Sequence, residues 1–98
     1  MENQLYVMFV ERGKTYNKMT KAMAERHVAH IKNQDDNGRL ALCGLLKGLP
    51  GVAGMLVLKA QSYEEAEEIC KAEPLVVEGL ATYKLVTLQV ADRLTAPP

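Results

Sequence analysis

Leu5-Tyr6-Val7-Met8-Phe9-Val10 is the stretch on which the fold turns. It is short, unbroken in its apolar character, and built of aromatic and β-branched residues, with Glu11-Arg12-Gly13 closing it. Such a run predicts a strand that is apolar on both faces. An antiparallel strand with one wet face would instead alternate apolar with polar. Leu40 to Leu46 and Met55 to Ala60 repeat the pattern, interrupted only by Lys59, and the turn chemistry of Lys47-Gly48-Leu49-Pro50-Gly51 lies between them. Tyr83 to Val90 predicts a last strand.

Between the first two strands the period changes. From about Met19, the residues Met19, Met23, His27 and Ile31 recur every fourth position with Ala24 and Val28 beside them, while Lys21, Glu25, Arg26 and Lys32 lie off that stripe. This predicts a helix, stopped by Asn37-Gly38. Ser62-Tyr63-Glu64-Glu65 predicts a second helix through a capping box, with the Ser62 hydroxyl accepting the Glu65 amide and the Glu65 carboxylate reaching back to the Ser62 amide. Ala66, Ile69 and Cys70 form its core stripe. Pro74 ends it and opens a short further turn through Val77, closed by Gly79.

The order β-α-β-β-α-β predicts an α+β, ferredoxin-like domain: an antiparallel sheet with both helices on one face. Nothing in the chain then covers the other face, and its apolar content predicts a sheet-to-sheet homodimer. A charge on the buried face, at Val7 or Leu58, is expected to break that dimer.

The 98 residues are expected to form a single domain with a core over about 4–91 and a frayed tail over 92–98. With 48% hydrophobic and 24% charged residues the composition is that of a globular protein. Twelve basic residues balance twelve acidic ones, so nothing in the net field favours nucleic acid or anionic lipid. No apolar run reaches the roughly 18 residues that span a bilayer, and the polar start Met1-Glu2-Asn3-Gln4 predicts a cytoplasmic protein. Cys43 and Cys70 fall on apolar faces without a C-x-x-C spacing, and both are expected to be buried, reduced and slow to react.

Few residues can carry chemistry. His27 lies on the apolar stripe, where it is either a core histidine satisfied by a carbonyl or water, or an acid–base group facing a cavity. His27 and His30 form a bare H-x-x-H without further ligands at fixed spacing, so no metal is expected and His30 reads as a partly exposed neighbour. Glu73, at the turn before Pro74, is either a surface acid or turned inward. Gly48, Gly51 and Gly54 lie between two strands and not before a helix, which signals a turn and not a phosphate site. Lys14, Lys18 and Lys21 read as solvated. No G-x-S-x-G elbow and no cofactor motif is present, so no cofactor is expected.

The N-terminal Leu5-Tyr6-Val7 strand, Glu25-Arg26-His27-Val28-Ala29-His30-Ile31, Asn37-Gly38-Arg39-Leu40 leading to Gly44, Tyr63-Glu64-Glu65-Ala66, and Glu73-Pro74 with Gly79 together resemble the YciI-like (YCII-related) family over nearly the whole chain to about Val90. The resemblance implies a ferredoxin-like subunit of a dimeric α/β barrel, kin to muconolactone isomerases, with a helical histidine and a carboxylate before proline as the active-site pair. His27 takes the histidine position, and Glu73 the position where the family has Asp in Asp-Pro-Tyr. Leu75 stands where the tyrosine would be, and Leu45 follows Gly44 where a proline is common. Glu73 is one methylene longer than Asp, and its reach is expected to bring it within hydrogen-bond distance of His27.

The expected activity is therefore proton transfer on a small-molecule ligand, isomerase- or lyase-like, with His27 as general acid–base and Glu73 orienting its ring. Met8, Met23, His30, Gly44, Met55 and Leu75 are the expected pocket residues. The alternative is a non-catalytic dimer that binds or senses a metabolite in the same cavity.

Overall fold

The computed structural model describes residues 4–91. The expected tail over 92–98 lies outside the described residues. Strand β1 (Gln4–Arg12) leads through a single 3-10 turn (Tyr16–Lys18) to α1 (Lys21–Asp36), followed by β2 (Leu40–Leu45), β3 (Val52–Leu58), α2 (Tyr63–Lys71), α3 (Pro74–Val77) and β4 (Ala81–Gln89). The sheet order is β2-β3-β1-β4, and every neighbouring pair is antiparallel. The chain is thus α+β and ferredoxin-like, with its helices on one side. Among the described residues no helix is long and apolar enough to cross a membrane.

Register divides the apolar strands between two faces, because residues directly opposite share a side. Met8 lies opposite Leu56 and Leu85, and this face meets the helices: Tyr6, Met8, Val10, Leu56 and Leu58 pack with Ala66, Ile69, Cys70 and Leu75. Val7 lies opposite Val57 and Val86, on the face without helices, with Leu5, Phe9, Met55 and Leu88 beside them. Leu58 is therefore a core residue under the helices and not part of the open face; only Val7 of the two expected interface positions belongs there.

Two irregularities change what the strands present. Leu40 pairs with Leu58, but Leu42 pairs with Val57, so Ala41 is an extra residue and the parity of β2 reverses behind it. Cys43 and Leu45 then face the helices, while Leu42 and Gly44 turn to the open side. A second slip sets Val10 against Gly54 and Glu11 against Val52, leaving Ala53 unpaired in the register. β3 begins at Val52, earlier than the apolar pattern implied, and takes in Gly54, which is a strand residue and not a turn residue. A Cβ at Gly54 would stand 2.6 Å from the Gly44 carbonyl oxygen, so β2 and β3 approach there as only glycine permits. Gly48 and Gly51 do serve the turn, at φ 89° and 80°.

The helix starts are fixed by side-chain caps. Thr20 Oγ1 accepts from the Met23 amide at 3.2 Å, and Ser62 Oγ from the Glu65 amide at 3.1 Å. The return bond of the second cap differs from the expected box: Glu65 Oε1 accepts from the Gln61 amide at 2.7 Å, one residue before Ser62. Helix α1 sits less deeply than its sequence stripe implied. Met19 precedes it, Met23, His27 and Ile31 are half-buried, and Val28 is 61% exposed. Its one buried residue is Gln34. α1 packs chiefly on α3 and β2, so it bridges the sheet at one side without closing on it.

Candidate active site

Glu73 owes its position to the residue after it. Pro74 pushes the preceding residue out of the helical region, and Glu73 accordingly has φ −64° and ψ 123° as the N-cap of α3. Its Oε1 accepts from the Leu75 amide at 3.0 Å. The side chain is fully excluded from solvent. Of the two readings of this acid, surface and inward, the structure has the inward one.

His27, in the middle of α1, meets that carboxylate. Nδ1 lies 2.6 Å from Glu73 Oε2, across forty-six positions of sequence. With Oε1 committed to the Leu75 amide, both carboxylate oxygens are held, and the imidazole is held in turn. In the neutral ring this arrangement places the proton on Nδ1, which donates to Glu73, and leaves a lone pair on Nε2. The His27 side chain is 24% exposed and lines a cavity of about 240 Å³ between α1 and the β2–β3 side of the sheet. Among the described residues Nε2 makes no hydrogen bond to protein. The pair is thus a ring with one nitrogen anchored and the other available to a molecule in the cavity.

Three further expected pocket residues, Gly44, Met55 and Leu75, line the same cavity, although Gly44 and Met55 occupy strand positions that turn to the open face. Met8, Met23 and His30 do not. Met8 is wholly buried beneath the helices, in the core that supports the cavity. Met23, one turn before His27, is half-buried outside it. His30 is satisfied elsewhere: its Nε2 donates to the Ile69 carbonyl at 3.2 Å and ties α1 to α2. The backbone-satisfied histidine foreseen as one reading of His27 is in fact His30, and the two rings of the H-x-x-H diverge to different partners.

The walls include side chains the sequence did not single out, notably Tyr16, Ile31, Cys43 and Leu45. Tyr16 comes from the single turn before α1, where no period announces it. Cys43 and Leu45 reach the cavity through the reversed parity behind Ala41. Cys43 is therefore exposed, contrary to expectation, whereas Cys70 is buried as expected. Burial, helped by the nearby Glu67 carboxylate, pushes the Cys70 thiol up from 9.0 to about 12. Both cysteines are free. Apart from His27, the polar side chains on the walls are the Tyr16 phenol and the Cys43 thiol, and among the described residues no Asp or Glu lines the cavity.

No family model matches the chain, and no curated protein matches its sequence. Among solved structures it is similar to 5-chloro-2-hydroxyhydroquinone dehydrochlorinase (TftG) from Burkholderia phenoliruptrix AC1100, determined in complex with 2,5-dihydroxybenzoquinone. The likeness has a TM-score of 0.65 and covers 89% of this chain and 93% of that one, at 14% sequence identity. At that identity it establishes a shared fold.

Proposed function

We propose that this chain is a YciI-like small-molecule enzyme that moves a proton, with His27 Nε2 as the general base and acid and Glu73 as the group that orients the ring. The observation that carries the reading is the 2.6 Å contact between His27 Nδ1 and a buried carboxylate whose other oxygen is already bound to the Leu75 amide. A base fixed in this way loses no ordering entropy when substrate arrives, and its lone pair is aimed at an apolar, partly enclosed space. Nε2 removes a proton from carbon or oxygen of the bound molecule; the imidazolium so formed is stabilised by Glu73 and returns the proton to a second position or to a leaving group. The fold of TftG, whose name describes loss of hydrogen chloride from a hydroxylated ring, supports a reaction of this kind, isomerase- or lyase-like.

The protein is proposed to act in the cytoplasm as a homodimer joined through the open sheet face. Leu42, Val86 and Leu88 on that face are about half exposed in the single chain, and a second copy would cover them. Light scattering should give about twice 10.8 kDa at micromolar concentration, and Val7→Asp should abolish that association. A wild-type monomer would rule the assembly out.

The test of the chemistry is hydrogen exchange in D2O, followed by proton NMR, on hydroxylated quinols and five-membered enol lactones as probes. Wild type should catalyse exchange or elimination, His27→Ala should abolish it, and Glu73→Gln should lower the rate by about 10²-fold, the scale of one positioned acid–base group. If probes perturb the His27 resonances yet no exchange or elimination occurs, the metabolite-binding dimer is the correct description.

A further inference from the structure

Beside the cavity, outside its walls but stacked on one of them, stands a charge that the acid–base pair does not use. Arg12 ends β1 two residues beyond Val10, a cavity wall, and so projects on the same face of the strand. Its guanidinium carbon stands 5.7 Å from the centroid of the Tyr16 ring, itself part of the cavity wall. The guanidinium is thus one ring's breadth from the space that His27 faces.

Among the described residues nothing neutralises it, and Arg12 makes no ion pair. Glu11 projects to the opposite face, where Thr82 Oγ1 donates to it at 3.3 Å and Lys84 Nζ lies 4.0 Å away. Glu78 is taken by Arg26 at 3.7 Å. Among the described residues no acid stands on the cavity walls themselves; the Glu73 carboxylate is buried behind the His27 ring that it binds, at the end of the cavity where the reacting atom and not the anion would lie. Arg12 also borders a hollow of about 390 Å³ together with Lys47 of the β2–β3 turn, which adds positive charge on the same side. A guanidinium resting on an aromatic face keeps its N–H edge in one plane, the geometry that matches the two oxygens of a carboxylate.

We infer that Arg12, backed by Tyr16, binds a carboxylate of the ligand, so that the cavity takes a small ring bearing one carboxylate group, its reacting atom at His27 Nε2 and its anion at the Arg12 edge. The inference rests on the cavity being the ligand site, as proposed above. Arg12 then acts as a specificity-determining residue. It selects anionic over neutral rings, and by fixing one end of the molecule it sets which atom the imidazole reaches. At about 240 Å³ the cavity falls just below the usual range for drug-sized ligands, which suits a single substituted ring.

Benzoate and benzamide, near-identical in shape and differing in charge, are suitable probes. Binding is read from the His27 ring proton shifts in wild type, Arg12→Gln and Arg12→Lys. Arg12 is exposed, so these variants should melt as wild type does. Wild type should prefer benzoate by about tenfold or more, the scale of one charge-assisted contact at a solvent-accessible edge. Arg12→Gln should erase the preference, and Arg12→Lys should keep part of it. If benzamide binds wild type as tightly as benzoate, or the preference survives in Arg12→Gln, the carboxylate site is wrong while the cavity reading stands. If neither probe shifts His27 at millimolar concentration, the cavity is not a ring-binding site and both proposals fall.

Discussion

The two ends of the helical layer are built differently. Beneath α2 and α3, water is excluded almost completely: Ala66, Cys70, Glu73 and Leu75 are all buried against the central strands. Beneath α1, a longer helix, a single residue is buried, and β2 has none. One end of the layer is a close-packed core; the other is a bridge over a space. The cohesion that holds Glu73 rigid comes from the first, and the opening that lets His27 meet a ligand belongs to the second. A protein that must keep a base both oriented and reachable gains from putting the carboxylate on the tight side and the ring on the loose one.

The largest effect should come from charging the tight side. Leu58→Asp places an unpaired carboxylate beneath the helices and costs several kcal/mol, on the scale of the whole stability of a small domain, so the protein should fail to fold. Leu45→Asp on the loose side, at a residue 82% exposed, should change the urea midpoint by no more than about 0.5 kcal/mol equivalent. Similar losses at the two positions would erase the distinction. At the next level, Met8→Ala should cost about 2–5 kcal/mol by opening a cavity in the core, while Ile31→Ala, which only widens an existing space, should cost about 1 kcal/mol.

The cysteines give a subtler measurement. Cys43 should react with iodoacetamide in the native protein and Cys70 only after unfolding. The buried thiol also carries a pH signature. In the unfolded chain Cys70 releases its proton near 9, whereas the native state retains it to about 12. Between these values the unfolded state binds fewer protons, so stability is whole below pH 9 and declines as pH rises towards 12. Cys70→Ala should flatten that decline in a denaturant series. Part of the slope should remain, because the Tyr83 phenol is raised in the same direction, by burial first and then by Glu67.

What could be read in advance followed from short-range rules. The β1 run, the Ser62 hydroxyl's bond to the Glu65 amide and the turn before Pro74 each depend on residues within a few positions, and each stands in the structure as the sequence implied, while the return bond of the Glu65 carboxylate moved one residue, to the Gln61 amide. The Glu-Pro step even announced that Glu73 would leave the helical path, although its partner had to be guessed from resemblance. The misses have longer-range causes. One extra residue at Ala41 reversed which side of β2 faces the helices, and no periodicity marks a bulge among consecutive apolar residues. Gly54 looked like its turn neighbours because its constraint is the Gly44 backbone on another strand. The stripe of α1 was correct in period but overstated in depth, since nothing local says how far a helix stands from its sheet.

The His27–Glu73 contact joins residues forty-six positions apart, and the sheet order β2-β3-β1-β4 inserts the first strand between the third and the last. A chain made from its N-terminus therefore delivers the imidazole while its anchoring carboxylate is still unmade, and delivers a central strand before either of its neighbours. During synthesis α1 can form early, but its histidine stays unmoored until the step before Pro74 has been added and α3 has wound. The reactive geometry is then a late event in the life of each molecule, present only once nearly the entire domain has been made.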